Sequence, residues 1–153
     1  MDNNIDEIVK EAKLSYCVEC GKCVMACPMR EIYQQFSYEL SPRGISKKVL
    51  LGFDVLDIFK SKEIWFCLGC TACTNLCPAG VRYAEFIDSL RLLAISQGVT
   101  EHCLTCQRCG SYFVTTPTVD GIREEMKERG LSSEFLALCP KCRRYEFSDR
   151  VKR

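Results

Sequence analysis

Apolar residues recur along this chain at intervals of three and four far more often than they alternate, and that period predicts helices. Ile5, Ile8, Val9 and Ala12 stand at i, i+3, i+4 and i+7, with Asn3 or Asn4 available as a cap, and predict a helix over 3–14. A second helix is expected over 28–39, leaving Cys27-Pro28. Ser41-Pro42 joins a capping hydroxyl to a proline suited to a first helical position. It opens a helix expected over 42–60, with Ile45, Val49, Phe53, Leu56 and Phe59 along one side. Gly44 and Gly52 weaken that helix, and Gly52 is the position expected to admit a close neighbour. Residues 81–97 repeat the helical pattern, with Phe86, Ile87, Leu90, Leu93 and Ala94 inward and Gly98 as the stop. After residue 101 the character changes. Strand-like sequence is confined to 112–116, a charged helix is expected over 120–129 before Gly130, and a short one over 132–138. The expectation is a mainly α protein in two parts, 1–100 and 101–153.

Thirteen cysteines change the picture. Eight fall into two identical frames, Cys17-x2-Cys20-x2-Cys23-x3-Cys27-Pro28 and Cys67-x2-Cys70-x2-Cys73-x3-Cys77-Pro78. Each frame has the spacing of the bacterial-type ferredoxin run, in which three cysteines wrap one [4Fe–4S] cube and the fourth serves the other cluster. Cys17, Cys20, Cys23 and Cys77 are therefore expected to hold one cluster, and Cys67, Cys70, Cys73 and Cys27 the other. The exchange requires the two motifs to pack side by side. The segment joining them, 28–66, is long and helical in pattern, which indicates an α-helical ferredoxin rather than the small β-rich kind. Trp65 and Phe66, just before the second motif, either shield a cluster from water or serve as plain core aromatics.

Cys103, Cys106, Cys109, Cys139 and Cys142 remain. In one partition, Cys106-x2-Cys109-Gly110 and Cys139-x2-Cys142 are two knuckles of a zinc-ribbon-like site with four thiolate ligands, and Cys103 is spare. In the other, Cys103, Cys106, Cys109 and Cys139 hold a third cube and Cys142 is spare. His102, the sole histidine, reads as a neighbour of this cluster rather than a ligand.

Disulfides fit a secreted chain, but the cysteine count is odd and the acidic start Met1-Asp2-Asn3-Asn4 is no export signal. A cytoplasmic, soluble protein is expected, with no apolar run near the ~20 residues of a membrane span. The formal charge of +1 is deceptive. Three sites carrying about −2 each would bring the loaded protein to about −5. The basic residues thus partly offset buried anions, and nucleic-acid binding does not follow. Lys22, Arg30, Arg43, Lys47 and Lys48, near the first motif, read as a solvated face.

Beyond the cysteines, residues 17–28 (CVECGKCVMACP), 41–52 (SPRGISKKVLLG), 64–81 (IWFCLGCTACTNLCPAGV) and 84–94 (AEFIDSLRLLA) resemble the ferredoxin-like subunit of heterodisulfide reductases, in order and phrasing. The resemblance covers 16–98 and implies an α-helical ferredoxin with two [4Fe–4S] clusters that hands electrons to or from a larger catalytic partner. The CQRCG…CPKC tail is a departure from that pattern. With it, the chain also looks like the small electron-transfer subunit that accompanies tungsten-pterin enzymes, such as class II benzoyl-CoA reductase.

No Gly-rich nucleotide loop, flavin fingerprint or acid–base constellation is present in the sequence. The expected role is an electron-transfer subunit in a hetero-oligomeric oxidoreductase complex of anaerobic metabolism, fed by an upstream donor. A freely diffusing ferredoxin is the alternative, and an exposed apolar surface on the 42–60 helices would favour a partner. Catalysis at a cluster with Cys103 as a redox thiol would need an open iron, and eight ligands for two clusters leave none.

Overall fold

The protein is seen in a computed structural model that describes residues 3–33 and 36–151. It is 58% helix and 5% strand, so the mainly α expectation holds. The chain divides into two compact units, one ending at Thr100 and the other beginning at Glu101.

The first unit is built from α1 (Asn3–Glu11), α2 (Lys22–Met25), α3 (Met29–Ile32), α4 (Pro42–Leu50), α5 (Val55–Lys60), α6 (Lys62–Phe66), α7 (Ala72–Asn75) and α8 (Tyr83–Ser96). The longest of these, α8, is the hub. α1, α5, α6 and α7 all pack on it. Its inner face buries Phe86, Ile87, Leu90 and Ala94 completely. Leu14, Ile45, Phe59, Ile64 and Trp65 fill the remaining core. The α1–α8 contact is tied by the Arg82 N–H, which donates to the Ala12 carbonyl at 2.9 Å.

Several elements differ from expectation, each for a local reason. The 3–14 helix ends at Glu11, and Lys13 turns into the left-handed region (φ 57°) before a 3-10 turn over Leu14–Tyr16. The 28–39 helix is only Met29–Ile32. Tyr33 is already extended, Ser37–Leu40 is irregular, and residues 34–35 lie outside the described residues. The expected 42–60 helix is two helices. Gly52, at φ +72°, ends the first, and the Asp54 carboxylate caps the second by accepting from the Leu56 and Asp57 N–H groups. This break turns the second half, so Ile58 and Phe59 face inward while Phe53 and Leu56 are exposed. α6 had no counterpart in the periodicity. Ser41 caps α4 as expected, its Oγ accepting from the Gly44 N–H at 3.1 Å.

The close-approach glycine is Gly44, not Gly52. A Cβ at Gly52 would meet nothing within 4 Å. One at Gly44 would press on the Tyr38 carbonyl oxygen and lie 2.9 Å from the Glu39 Cα. The obstruction is backbone and cannot swing away. Gly44→Ala is therefore expected to destabilise the protein by about 1–3 kcal/mol despite alanine's better helix propensity, as read by denaturant unfolding of the loaded protein.

The second unit holds a two-stranded antiparallel sheet, β1 (Cys103–Thr105) and β2 (Tyr112–Thr115), then α9 (Thr116–Glu128), a 3-10 turn over Glu134–Ala137 and α10 (Pro140–Val151). β2 follows the strand-like sequence at 112–116. β1 and α10 carried no clear period. The charged helix starts at Thr116 rather than 120, because Pro117 suits its first turn.

Candidate metal centres

The two cysteine frames fold the same way. In each loop the residue before the second cysteine and the residue after it are left-handed: Glu19 and Gly21 in the first, Gly69 and Thr71 in the second. Two inverted residues coil the chain tightly enough to turn three successive cysteines toward one point. Glycine fills this geometry freely, whereas Glu19 and Thr71 adopt it at a cost of about 1–2 kcal/mol each. Glu19 is held by α4. The Arg43 guanidinium donates to the Glu19 carbonyl at 2.8 Å and pairs with its carboxylate at 2.5 Å. Lys48 pairs with Glu63. These two of the five basic residues near the first motif thus have assigned partners.

The third cysteine of each loop sits within one short helix, Cys23 in α2 and Cys73 in α7, and these helices pack against each other. The motifs therefore lie side by side. Cys27 comes off the end of the first motif and lines one cavity together with Cys67, Cys70 and Cys73 of the second, beside Pro28, Met29 and Ala84. Burial, reinforced by Cys67 and Cys70, pushes the Cys27 thiol up. The same causes push Cys73 up to about 12. Burial raises Cys67 as well, opposed by the Gly69 N–H and the nearby Arg91. Thiols this crowded resist ionising together, and bound cationic iron is the kind of charge that would let them. In the first motif, burial and the nearby Cys17 raise Cys23. Cys77 follows α7, and its Sγ accepts from the Val81 N–H at 3.4 Å. Backbone N–H groups thus already point at several of these sulfurs, an arrangement that stabilises thiolates.

Residues 13–81 match the 4Fe-4S dicluster domain family. That match supports an iron–sulfur, ferredoxin-like protein that binds 4Fe-4S clusters. No curated protein and no solved structure matches the chain. The dicluster segment takes in both cysteine frames and the α4–α6 helices between them.

Two residues on α8 bear on the dicluster segment and were not singled out by periodicity. Arg91 is buried, 5% exposed. Its Nε donates to the Ile64 carbonyl at 2.8 Å and its terminal nitrogen to the Cys67 carbonyl. It therefore caps the end of α6 and sets the start of the second loop, with its charge beside Cys67. The available signal was a lone arginine at i+4 from Ile87 within an apolar helix. Tyr83, at the start of α8, is 3% exposed, and its hydroxyl has no hydrogen-bond partner among the described residues. Trp65 is a core aromatic: it is fully buried, and its indole N–H donates to the Phe59 carbonyl at 2.8 Å. Phe66 packs edge-on to Tyr33 at 4.9 Å.

In the second unit Cys106, Cys109, Cys139 and Cys142 converge, their sulfurs all within 4.8 Å of one another. The first pair sits in the β1–β2 connection, where the Gly110 N–H donates to the Cys106 carbonyl at 2.8 Å and Gly110 takes φ +72°. The second pair lies at the start of α10, where the Cys139 N–H donates to the Cys106 sulfur at 3.3 Å. That bond is the first cause lowering Cys106 to about 6. Burial, then the three neighbouring thiols, raises Cys142 to about 12. Cys103 lies in β1 opposite Thr115, and neither it nor His102 belongs to this group of four. The His102 carbonyl accepts from the Thr116 N–H at 2.9 Å. The cluster can bind a metal ion.

No helix among the described residues is long and apolar enough to cross a membrane.

Proposed function

We propose that this chain is the electron-transfer subunit of a cytoplasmic oxidoreductase complex, relaying single electrons between a donor and the redox centre of a larger catalytic partner. The observation that carries the reading is the cavity shared by Cys27 and Cys67, Cys70 and Cys73. It supports crossed ligation, with Cys17, Cys20, Cys23 and Cys77 as the second set. When bound, each cubane supplies a site that takes up and releases one electron. The chain's part is to hold the two sites adjacent, to keep water from the buried sulfurs and to place Arg91's positive charge beside one set.

A lasting partner is favoured over a free ferredoxin by apolar exposure on the α4–α5 segment. Leu50, Leu51, Phe53 and Leu56 are 41–64% exposed, and Phe53 and Leu56 line a groove with Ile5 and Val49. Two candidate partner classes come from the resemblance to the ferredoxin-like subunit of heterodisulfide reductases and, with the tail, to the small subunit of tungsten-pterin enzymes such as class II benzoyl-CoA reductase.

For the tail we propose zinc. Four Zn–S bonds of about 2.3 Å at tetrahedral angles put sulfurs about 3.8 Å apart. The Cys109 and Cys139 sulfurs are 3.8 Å apart. A cubane would set its thiolates on four separate irons and hold them much wider.

Anaerobic purification from the native host, with metal analysis and identification of co-eluting chains, tests both parts. The expected result is co-elution with a large redox subunit and about eight irons and one zinc per chain. A chain that elutes alone would favour the free ferredoxin. About twelve irons and no zinc would favour a third cube.

A further inference from the structure

Tyr83 carries one of two buried side-chain polar atoms without a partner among the described residues, the other being Arg43 Nε, whose guanidinium is already tied to Glu19. Tyr83 is 3% exposed, and its hydroxyl has neither a partner among the described residues nor access to bulk water. Leaving a buried hydroxyl unpaired costs about 1–3 kcal/mol, and a phenylalanine in its place would avoid that cost. The position is also firmly fixed. The Ala84 N–H donates to the Thr74 hydroxyl at 3.1 Å, fastening the start of α8 to the helix that carries Cys73. The Tyr83 and Phe86 rings lie 5.9 Å apart, which limits tilt. The next residue, Ala84, lines the cavity of Cys27, Cys67, Cys70 and Cys73. Burial first, and then Cys67, Cys73 and Cys27 of that same set, push the phenol up. No carbonyl, carboxylate or cysteine sulfur among the described residues accepts from it, so the hydroxyl is left for a group bound at the site.

We propose that the Tyr83 hydroxyl donates a hydrogen bond to sulfur at the Cys27–Cys67–Cys70–Cys73 site and thereby sets the reduction potential of that site apart from its neighbour's. The inference rests on the crossed ligand set proposed above. A donor to cluster sulfur stabilises the more negative, reduced state, so it raises the potential. Tyr33 holds the equivalent place in the first motif, five residues beyond Pro28 as Tyr83 is beyond Pro78, but it is half-buried and packed edge-on to Phe66. Two sites with near-identical loops would thus differ through the burial of one hydroxyl, and an electron would rest preferentially on the site near Tyr83. Tyr83 is a positioning and tuning residue, not a catalytic one.

The test is Tyr83→Phe in the full chain, loaded with iron and sulfide, and followed by an EPR-monitored redox titration. The expected result is full iron content, a downward shift of one midpoint potential and no change in the other. In resonance Raman spectra, the Fe–S bands of one cluster should shift less on transfer to D2O than in the wild type, the remainder coming from the backbone N–H donors. Should Tyr83→Phe fail to load, 3-fluorotyrosine placed at position 83 keeps the ring and hydroxyl and makes the donor stronger, and an upward shift of the same midpoint is expected. Full loading with both potentials unchanged in either variant overturns the proposal. A wild-type chain that takes up no iron would instead overturn the ligand set beneath it.

Discussion

Cys27→Ala should halve the iron content, and adding Cys70→Ala to it should lower it no further. If ligation is crossed, both residues serve one cluster. Each single variant and the double variant should then retain about four of about eight irons per chain. The surviving EPR signal should be the same in all three. If each motif instead kept its own four cysteines, the double variant would damage both clusters and its iron would fall toward zero. Iron analysis with EPR of the three reduced proteins decides between them. The expectation follows from Cys27 lining a cavity whose other thiols come only from the second motif. Alanine removes the sulfur without placing another ligand there, so rescue by a hydroxyl does not confuse the result.

The second large effect lies in the tail. Cys142→Ala should abolish its metal binding and unfold it, whereas Cys103→Ala should do neither. Three of the four converging cysteines, packed on Phe113 and Leu138, are themselves the core of this unit. Among its described hydrophobic residues, little else is buried apart from Val119 and Leu136. So small an apolar core does not offset the chain entropy of ordering the unit. Structural zinc sites of this type contribute about 10–16 kcal/mol of apparent binding energy, which becomes folding energy. Zinc content by metal analysis and limited proteolysis after residue 100 provide the readout. The opposite pattern, with Cys103 essential and Cys142 dispensable, would identify a third cube.

The candidate metal ligands were readable from sequence because ligand spacing is a local property: a loop that wraps a cube must repeat its cysteines at fixed intervals. The same is true of the Ser41-Pro42 start of α4. The break at Gly52 was also written locally, as a glycine followed by the capping Asp54, yet the apolar period running through it from Ile45 to Phe59 concealed it. Gly44 was beyond reach, because its role depends on the backbone at Tyr38 and Glu39 folding back over α4. Arg91 and Tyr83 were missed for a related reason. A period shows which face of α8 turns inward, but not that Ile64 and Cys67 end there with carbonyls to be capped, or that a buried hydroxyl is left without a partner among the described residues. The convergence of Cys106 and Cys109 with Cys139 and Cys142 was one of two open pairings until the sulfurs were seen within 4.8 Å of one another.

The shared cavity also orders events during synthesis. A ribosome that has finished only the first motif has made Cys27 but none of the three thiols it sits among. The first motif alone is no complete vessel for that inorganic cargo, and a product truncated before Cys67 would leave reactive sulfur open to oxidants. On the proposed ligand set, iron for this cavity has no complete housing until translation has passed Cys73.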